Sequence, residues 1–413
     1  MTLIWSEDTS RNLPRRDDMQ GDMYDIIIVG GGPAGSIAAE KASRDGLDVL
    51  MLEKATYPRN KTCGGGVSQK ALDVIGGIDK ELIEREAFGA RIFLPDYRNF
   101  AGMLDDRVAV MVRRENLDHW LARRAEDRGA VVQDGEGVKD VFFTGDCVEV
   151  VTSKNRYRSR MVIGSDGVNS TVARKSGIRT HWGDDIGICL EAEVELGGTV
   201  VDECVEDRLI EFYFTRDRGY GWIFPKRDHI SIGIGEFAPR VHGLKGSFNR
   251  FVRDVSTRKN IDIEGRISGI NSYRIPAGGF PRRIHSDRVL LTGDAAGFVD
   301  PFLGEGIYYA LKSGEIAADV AAGAVESGDF SERFLQEYVT RCEKEFNYDL
   351  KSALKFANFA YGHRDLFLKA LWRDKRLFMG YMRTARGDRT YTEFNRWCAL
   401  RSPVTFAKLI VGR

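Results

Sequence analysis

Cysteine is scarce in this chain and scattered. Cys63, Cys147, Cys189, Cys204, Cys342 and Cys398 form no C-x-x-C pair and show no Cys/His ligand spacing. That pattern argues against a zinc site and a disulfide framework, so no metal is expected and the compartment is read as reducing. Net charge is also lacking: 61 Lys and Arg balance 61 Asp and Glu, and nothing marks a nucleic-acid partner. No apolar run approaches the roughly 18 residues that span a bilayer. Residues 1–22 form a polar tail of mixed charge without the apolar stretch of a secretory signal. Internal repeats and low-complexity segments are absent. These absences describe a cytoplasmic protein, soluble or held at a membrane surface. Its 43% hydrophobic content is enough for a real core, and 413 residues suffice for two domains or one large domain with an insertion.

What is present begins at Tyr24. Ile26 to Val29 read as a buried parallel strand that runs into Gly30-Gly31-Gly32-Pro33-Ala34-Gly35. Ala34, Ile37, Ala38 and Ala42 then recur at helical spacing, Gly46 stops the helix, and Val49 to Leu52 form a second strand ending at Glu53. In such a unit Gly30 permits the tight turn, Gly32 lets the main chain approach a pyrophosphate, and Gly35 lets helix and strand pack closely. The helix start offers free N–H groups and the positive end of its dipole. Glu53 is placed to accept hydrogen bonds from an adenosine ribose. The unit predicts a bound dinucleotide.

A turn-rich segment, Tyr57 to Gly66, follows, and a helix is expected from about Ser68. Arg114 stands at the start of another helix, which carries Leu117, Trp120, Leu121 and Ala125 on one face. Between about Ile186 and Gly235 the apolar period changes to 2, which predicts four consecutive antiparallel strands. The first style then returns. A strand at Val289 ends in Gly293-Asp294, and Gly304-Glu305-Gly306-Ile307 opens a long helix. A carboxylate at a strand's C-terminal end suits the hydroxyls of a ribityl chain. A helix start aimed at a flavin's N1/C2=O edge stabilises the charge of the reduced ring. NAD has no ribityl chain, so this pairing favours FAD.

Three segments together resemble the flavin motifs of the p-hydroxybenzoate hydroxylase-like flavoprotein superfamily: Gly30-x-Gly32-x-x-Gly35 with Glu53; Gly164-Ser165-Asp166-Gly167 with Ser170 and Arg174; and Gly293-Asp294-Ala295-Ala296-Gly297 with Pro301. Tyr220-x-Trp222-x-Phe224-Pro225, followed by Gly233-x-Gly235, is similar to a motif of the geranylgeranyl reductases within it. Thr62-Cys63-Gly64-Gly65-Gly66 resembles the Cys-Gly loop near the flavin in that family.

The resemblance implies an α/β fold with an α+β second domain. It divides into an interrupted Rossmann-type FAD-binding domain (23–177 and 285–326), an inserted antiparallel-sheet substrate domain (178–284) and a helical C-terminal region (327–413). It also implies FAD contacts from Gly30, Gly32, Pro33, Ala34, Gly35, Glu53, Lys54, Cys63, Gly64, Gly66, Arg114, Val138, Asp166, Gly167, Asp294, Gly304, Gly306 and Ile307.

Tyr220, Trp222 and Phe224 share one face of a strand. A wall of large rings suits a long isoprenoid without hydrogen-bonding groups. The expected activity is therefore hydride transfer from reduced FAD to double bonds of a geranylgeranyl or other prenyl chain on a lipid, quinone or chlorophyll-type tail. NADPH or ferredoxin is the electron donor. Aromatic monooxygenation or halogenation is the enzymatic alternative, and a non-catalytic flavoprotein or maturation factor the other. Cys63 and Tyr220 are proton-donor candidates by position, but catalysis stays unassigned. The segment from Lys351 to Arg413 carries 14 Lys and Arg against 4 Asp and Glu. Within it, Leu366 to Arg383 interleaves apolar and basic residues, which suits either an anionic membrane surface or a helical face packed on the first domain.

Overall fold

Four strand ends meeting on one side of a sheet decide where this molecule can bind a ligand. The computed structural model describes residues 23–183, 185–214, 219–236, 243–277 and 282–411, with side chains as far as 401. The polar tail 1–22 lies outside the described residues. The first sheet is ordered His285–Ser286, Val289–Leu291, Arg156–Gly164, Tyr24–Val29, Val49–Leu52, Val131–Gln133. The central pairings are parallel: Ile26 lies opposite both Val49 and Met161, and Val162 opposite Val289. Ile26, Ile27 and Ile28 are fully buried, because helices cover the sheet and leave no polar face on these strands. The hairpin Val138–Thr144/Cys147–Thr152 pairs off the long strand Arg156–Gly164.

Helix Pro33–Arg44 packs on helix Ile307–Ser327. Their approach is close enough that a Cβ at Gly314 would sit 2.2 Å from the Ala34 carbonyl oxygen. The loops after Val29, Leu52, Gly164 and Leu291 all leave the same edge of the sheet, where open α/β sheets bind ligands.

The second sheet has seven strands in the order Asn271–Ile275, Gly187–Glu195, His229–Glu236, Gly219–Pro225, Leu209–Phe214, Gly89–Phe93, Asn99–Met103. The four expected strands are present. The sheet is larger than the segment 178–284, however, because two strands come from 89–103. One of them, Gly89–Phe93, runs parallel to Leu209–Phe214, so the sheet is not wholly antiparallel. Its two faces have separate cores. Tyr213, Ile223, Ile232 and Ile234 pack under helix Leu244–Lys259 through Phe248, Phe251 and Val252. The opposite face carries Tyr220, Trp222, Phe214 and Ile92, and there the C-terminal helices Tyr348–Gly362, Arg364–Arg373 and Lys375–Arg386 pack through Phe367, Leu371, Phe378 and Met382. The basic C-terminal region thus folds on the second sheet and also on the first domain, where the Tyr361 hydroxyl donates to the Phe302 carbonyl at 2.7 Å and Phe302 packs against Phe356 and Phe367. Its apolar positions find aromatic partners on the sheet, such as Phe100 against Phe378 at 5.4 Å. Among the described residues no helix is long and apolar enough to cross a membrane.

Candidate functional site

Between the two sheets lies a cavity of about 1350 Å³. Pockets for one small ligand occupy roughly 300–1,000 Å³, so this one has room for more than a single compact molecule. Every residue assigned to the cofactor or substrate from sequence lines it, except Gly35. Gly35 lies beneath the turn instead: a Cβ there would fall 1.9 Å from the Gly30 carbonyl oxygen, so only glycine lets the helix start so close to the strand. Gly30 itself has φ +102°, open to glycine and strained for other residues.

At the end formed by the glycine turn, Glu53 stands where expected but is already engaged. Its carboxylate accepts the Gly31 N–H at 3.0 Å and the Ala55 N–H at 3.1 Å, and it faces Arg59 at 3.3 Å. A carboxylate has about four lone-pair sites, so capacity remains. Asp166 accepts the N–H groups of Thr171 (2.6 Å) and Val172 (3.2 Å) through Oδ2. Its Oδ1 is buried with no partner, and burial pushes its carboxyl above the usual range. Lys54 and Val138 line the same end.

In the middle, Arg114 is buried and donates two hydrogen bonds to Asp118, at 3.0 and 2.9 Å. Burial works against its charge, but Asp118 more than offsets this and its pKa is raised. Asp118 also receives Arg59 at 2.9 Å. The Cys63–Gly66 loop lies flat on the aromatic strand: a Cβ at Gly64 would meet Phe224 at 2.7 Å. Asp294 accepts the Tyr273 hydroxyl at 3.2 Å and lies beside Gly306 at the start of the long helix.

At the far end Tyr220, Trp222 and Phe224 form a continuous wall, with successive ring centroids 6.1 and 6.4 Å apart. The glycines that follow explain themselves here. Trp222 lies opposite Gly233 on the neighbouring strand, and a Cβ at Gly233 would stand 2.1 Å from its Cζ2. The indole can cross that strand only over glycine. The Tyr220 hydroxyl donates to the Leu303 carbonyl, and burial raises its pKa.

Several residues in or behind the cavity wall escaped the sequence reading. Lys226, 1% exposed, donates to the Gly64 carbonyl (3.3 Å) and to Glu193 (3.2 Å), tying the loop to the sheet. Lys61 places its ammonium 3.2 Å from the Tyr273 ring centre, and burial lowers its pKa. Asp300, 2% exposed, accepts the N–H groups of Phe302 and Leu303 and the Tyr391 hydroxyl at 2.6 Å, joining the loop before Gly304 to the last helix. Phe356, Phe367, Leu371, Phe378, Tyr381 and Phe394 close the apolar end. The glycine-rich run 62–66 was a signal for Lys61; the helical apolar pattern gave no direction for the others.

A family model described as "FAD binding domain" matches residues 23–346. The chain is 34% identical over 367 residues to digeranylgeranylglycerophospholipid reductase 2 of Methanothermobacter thermautotrophicus, covering 85% of this chain and 91% of that one. It is similar in structure to a geranylgeranyl bacteriochlorophyll reductase-like protein of Thermoplasma acidophilum, at 27% identity and TM-score 0.72, over 82% of this chain and 87% of the other. The flavin-dependent brominase Bmp2, at 19% identity and TM-score 0.67 over 92% of this chain and 100% of the other, shares the fold.

Proposed function

The chain belongs to the geranylgeranyl reductase family of FAD-dependent oxidoreductases, and from that premise we propose that it saturates the geranylgeranyl chains of a glycerophospholipid. The observation that carries the reading is the cavity itself, polar and main-chain-walled at one end and aromatic at the other. A long prenyl chain has no hydrogen-bonding groups, so shape and apolar contact must hold it, and the wall from Tyr220 to Phe224 with the C-terminal helices above it supplies both. The rival oxygen chemistries share the fold.

The residues suit FAD. Gly30 and Gly32 leave the turn open to a phosphate, the orphaned Asp166 Oδ1 needs a donor, and Asp294 stands at a strand end within the cavity. Gly30, Gly32, Pro33 and Glu53, with Lys54 and Val138, would hold the nucleotide half. Asp294 and the Gly304–Ile307 helix start would hold the other half beside Cys63 and Gly64. Reduced FAD supplies the hydride. The chain's own part is to align the double bond, exclude water and bring a proton.

The cavity reaches solvent beside Lys355, Phe359 and Leu366; the last two are large apolar side chains 50% and 38% exposed. Lys369, Arg373 and Lys375 are exposed on the same helix as Leu366 and at the start of the next, and together these residues have the composition of a surface that rests on anionic lipid and receives the chain from it.

The test is anaerobic. The flavin is reduced, prenyl lipids, quinones and chlorophyll-type tails are offered, and flavin reoxidation is followed with product mass. Gain of one hydrogen pair per double bond is expected, highest with the phospholipid; oxygen-dependent turnover without hydrogenated product overturns the reading. Running the reduction with NADPH and with ferredoxin assigns the electron donor.

A further inference from the structure

Hydrogenation of an isolated double bond needs an acid as well as a hydride, and resting on the function above, we propose that Glu191 is that acid. It sits on strand Gly187–Glu195, lines the cavity, is 2% exposed, and its buried Oε2 has no hydrogen-bond partner. The register of the second sheet aims it. Trp222, Gly233, Glu191 and Asn271 stand opposite one another across four neighbouring strands, so all four share one face. Gly233, between Trp222 and Glu191, has no side chain. The carboxyl therefore meets the same space as the aromatic wall.

The acids near Glu191 on the same face of the second sheet are committed or weak. The Tyr220 hydroxyl is donated to Leu303 and that of Tyr273 to Asp294. The Cys189 thiol, on the same strand, is pushed up to about 12 by burial. Glu193 is kept ionised: burial opposes its charge, but the hydrogen bond from His229 and the Lys226 ammonium outweigh it. Around Glu191 itself, burial and then the Glu193 charge favour the neutral acid, while Lys226, Lys61 from the Cys-Gly loop and Arg114 from its helix favour the anion. The balance raises its pKa to about 7, the range in which a carboxylic acid serves as donor at neutral pH.

In the step, the Glu191 O–H bond breaks and its proton forms a new C–H bond with the π pair of the alkene. The other alkene carbon receives a hydride, with its electron pair, from reduced FAD. The alkene is reduced by two electrons, the cofactor is oxidised by two, and Glu191 is left as a carboxylate that regains a proton from water once product leaves.

Glu191→Gln keeps the shape and removes the acid. In FAD-loaded protein, infrared difference titration should show a carboxyl ionising near pH 7 in wild type and not in the variant. FAD content and prenyl-lipid binding should stay within about twofold, while anaerobic reoxidation by substrate slows by about 100-fold or more, the lower bound for general acid catalysis. The wild-type rate should fall as pH rises through about 7, since the neutral acid is the active form. Reoxidation by Glu191→Gln within about threefold of wild type, or absence of the titration, overturns the proposal. Should the Gln variant fail to hold FAD, Glu191→Asp decides: a slower rate with a displaced pH profile supports the role, and an unchanged profile refutes it. A wild type that hydrogenates none of the prenyl substrates removes the assigned function and the donor role with it; loss confined to the variant does not.

Discussion

Near Gly30 the cavity wall is main chain; near Phe378 it is side chain. The polar end is built from the turns after parallel strands, with glycines where side chains would obstruct and carboxylates at Glu53 and Asp166, and Asp294 stands toward the middle. The apolar end is assembled from the aromatic strand, the two strands of 89–103 and helices from 348 onward, segments nearly 300 residues apart. A phosphate or hydroxyl is recognised by direction, which a local turn can fix. A hydrocarbon chain is recognised by volume, which needs walls from wherever the fold supplies them. The two ends should therefore fail differently: damage to the first should empty the protein of cofactor, and damage to the second should leave cofactor in place and remove turnover.

The largest separation comes from Gly35→Val. Its Cβ would sit 1.9 Å from a main-chain oxygen that cannot step aside, so the cost should be about 3 kcal/mol or more, the top of the overpacking range. Thermal denaturation and flavin absorbance should show a destabilised protein without FAD. Gly233→Val is the matched change at the other end. Its obstacle is the Trp222 ring, 2.1 Å away but able to swing into the cavity. Stability should drop by about 1–3 kcal/mol with FAD retained, while prenyl turnover falls about 100-fold, as for a misplaced substrate. Loss of FAD in this variant would break the comparison.

Asp166→Asn sharpens it from the polar side. The amide keeps an acceptor for the Thr171 and Val172 N–H groups but presents N–H where a free oxygen now waits. Losing one charged hydrogen bond to the cofactor is worth about 1.5–3 kcal/mol, or roughly 10- to 100-fold in FAD affinity. Titration of the apoprotein with FAD measures it. At saturating FAD the KM for the prenyl substrate should be unchanged, since Asp166 and the aromatic wall lie at opposite ends.

The same contrast governs what could be read from sequence. Gly30, Gly35, Glu53 and Asp294 were legible because a turn that binds through its main chain demands particular residues at fixed local spacing. Tyr220, Trp222 and Phe224 were legible through their period of 2. Gly89–Phe93 and Asn99–Met103 were not assigned to the second sheet, because nothing in a five-residue strand names a partner more than 100 positions away. Glu191, Glu193 and Glu195 alternate like a solvated strand face, and only the fold shows that Glu191 is buried under the cavity. Phe367, Leu371 and Phe378 have the same helical pattern whether they face lipid or a protein cavity. Lys226 carries no local signal of its own, yet it is buried and holds the Cys-Gly loop.

The smallest expected effect belongs to the rim, where the apolar end meets solvent. Phe359 is 50% exposed and stacks on His363 at 5.2 Å. Phe359→Asp removes little buried surface, so stability should change by no more than about 0.5 kcal/mol. It also places a negative charge beside Lys355 on the face proposed to meet anionic lipid. Flotation with anionic vesicles should show several-fold weaker binding, since each charge near such a surface contributes about 1 kcal/mol. The KM for prenyl lipid presented in vesicles should rise by a similar factor, whereas that for a short prenyl substrate in free solution should stay constant. An equal rise for both would mean that Phe359 acts only as cavity wall and not as a membrane contact, and the apolar end would then be closed to lipid at this rim.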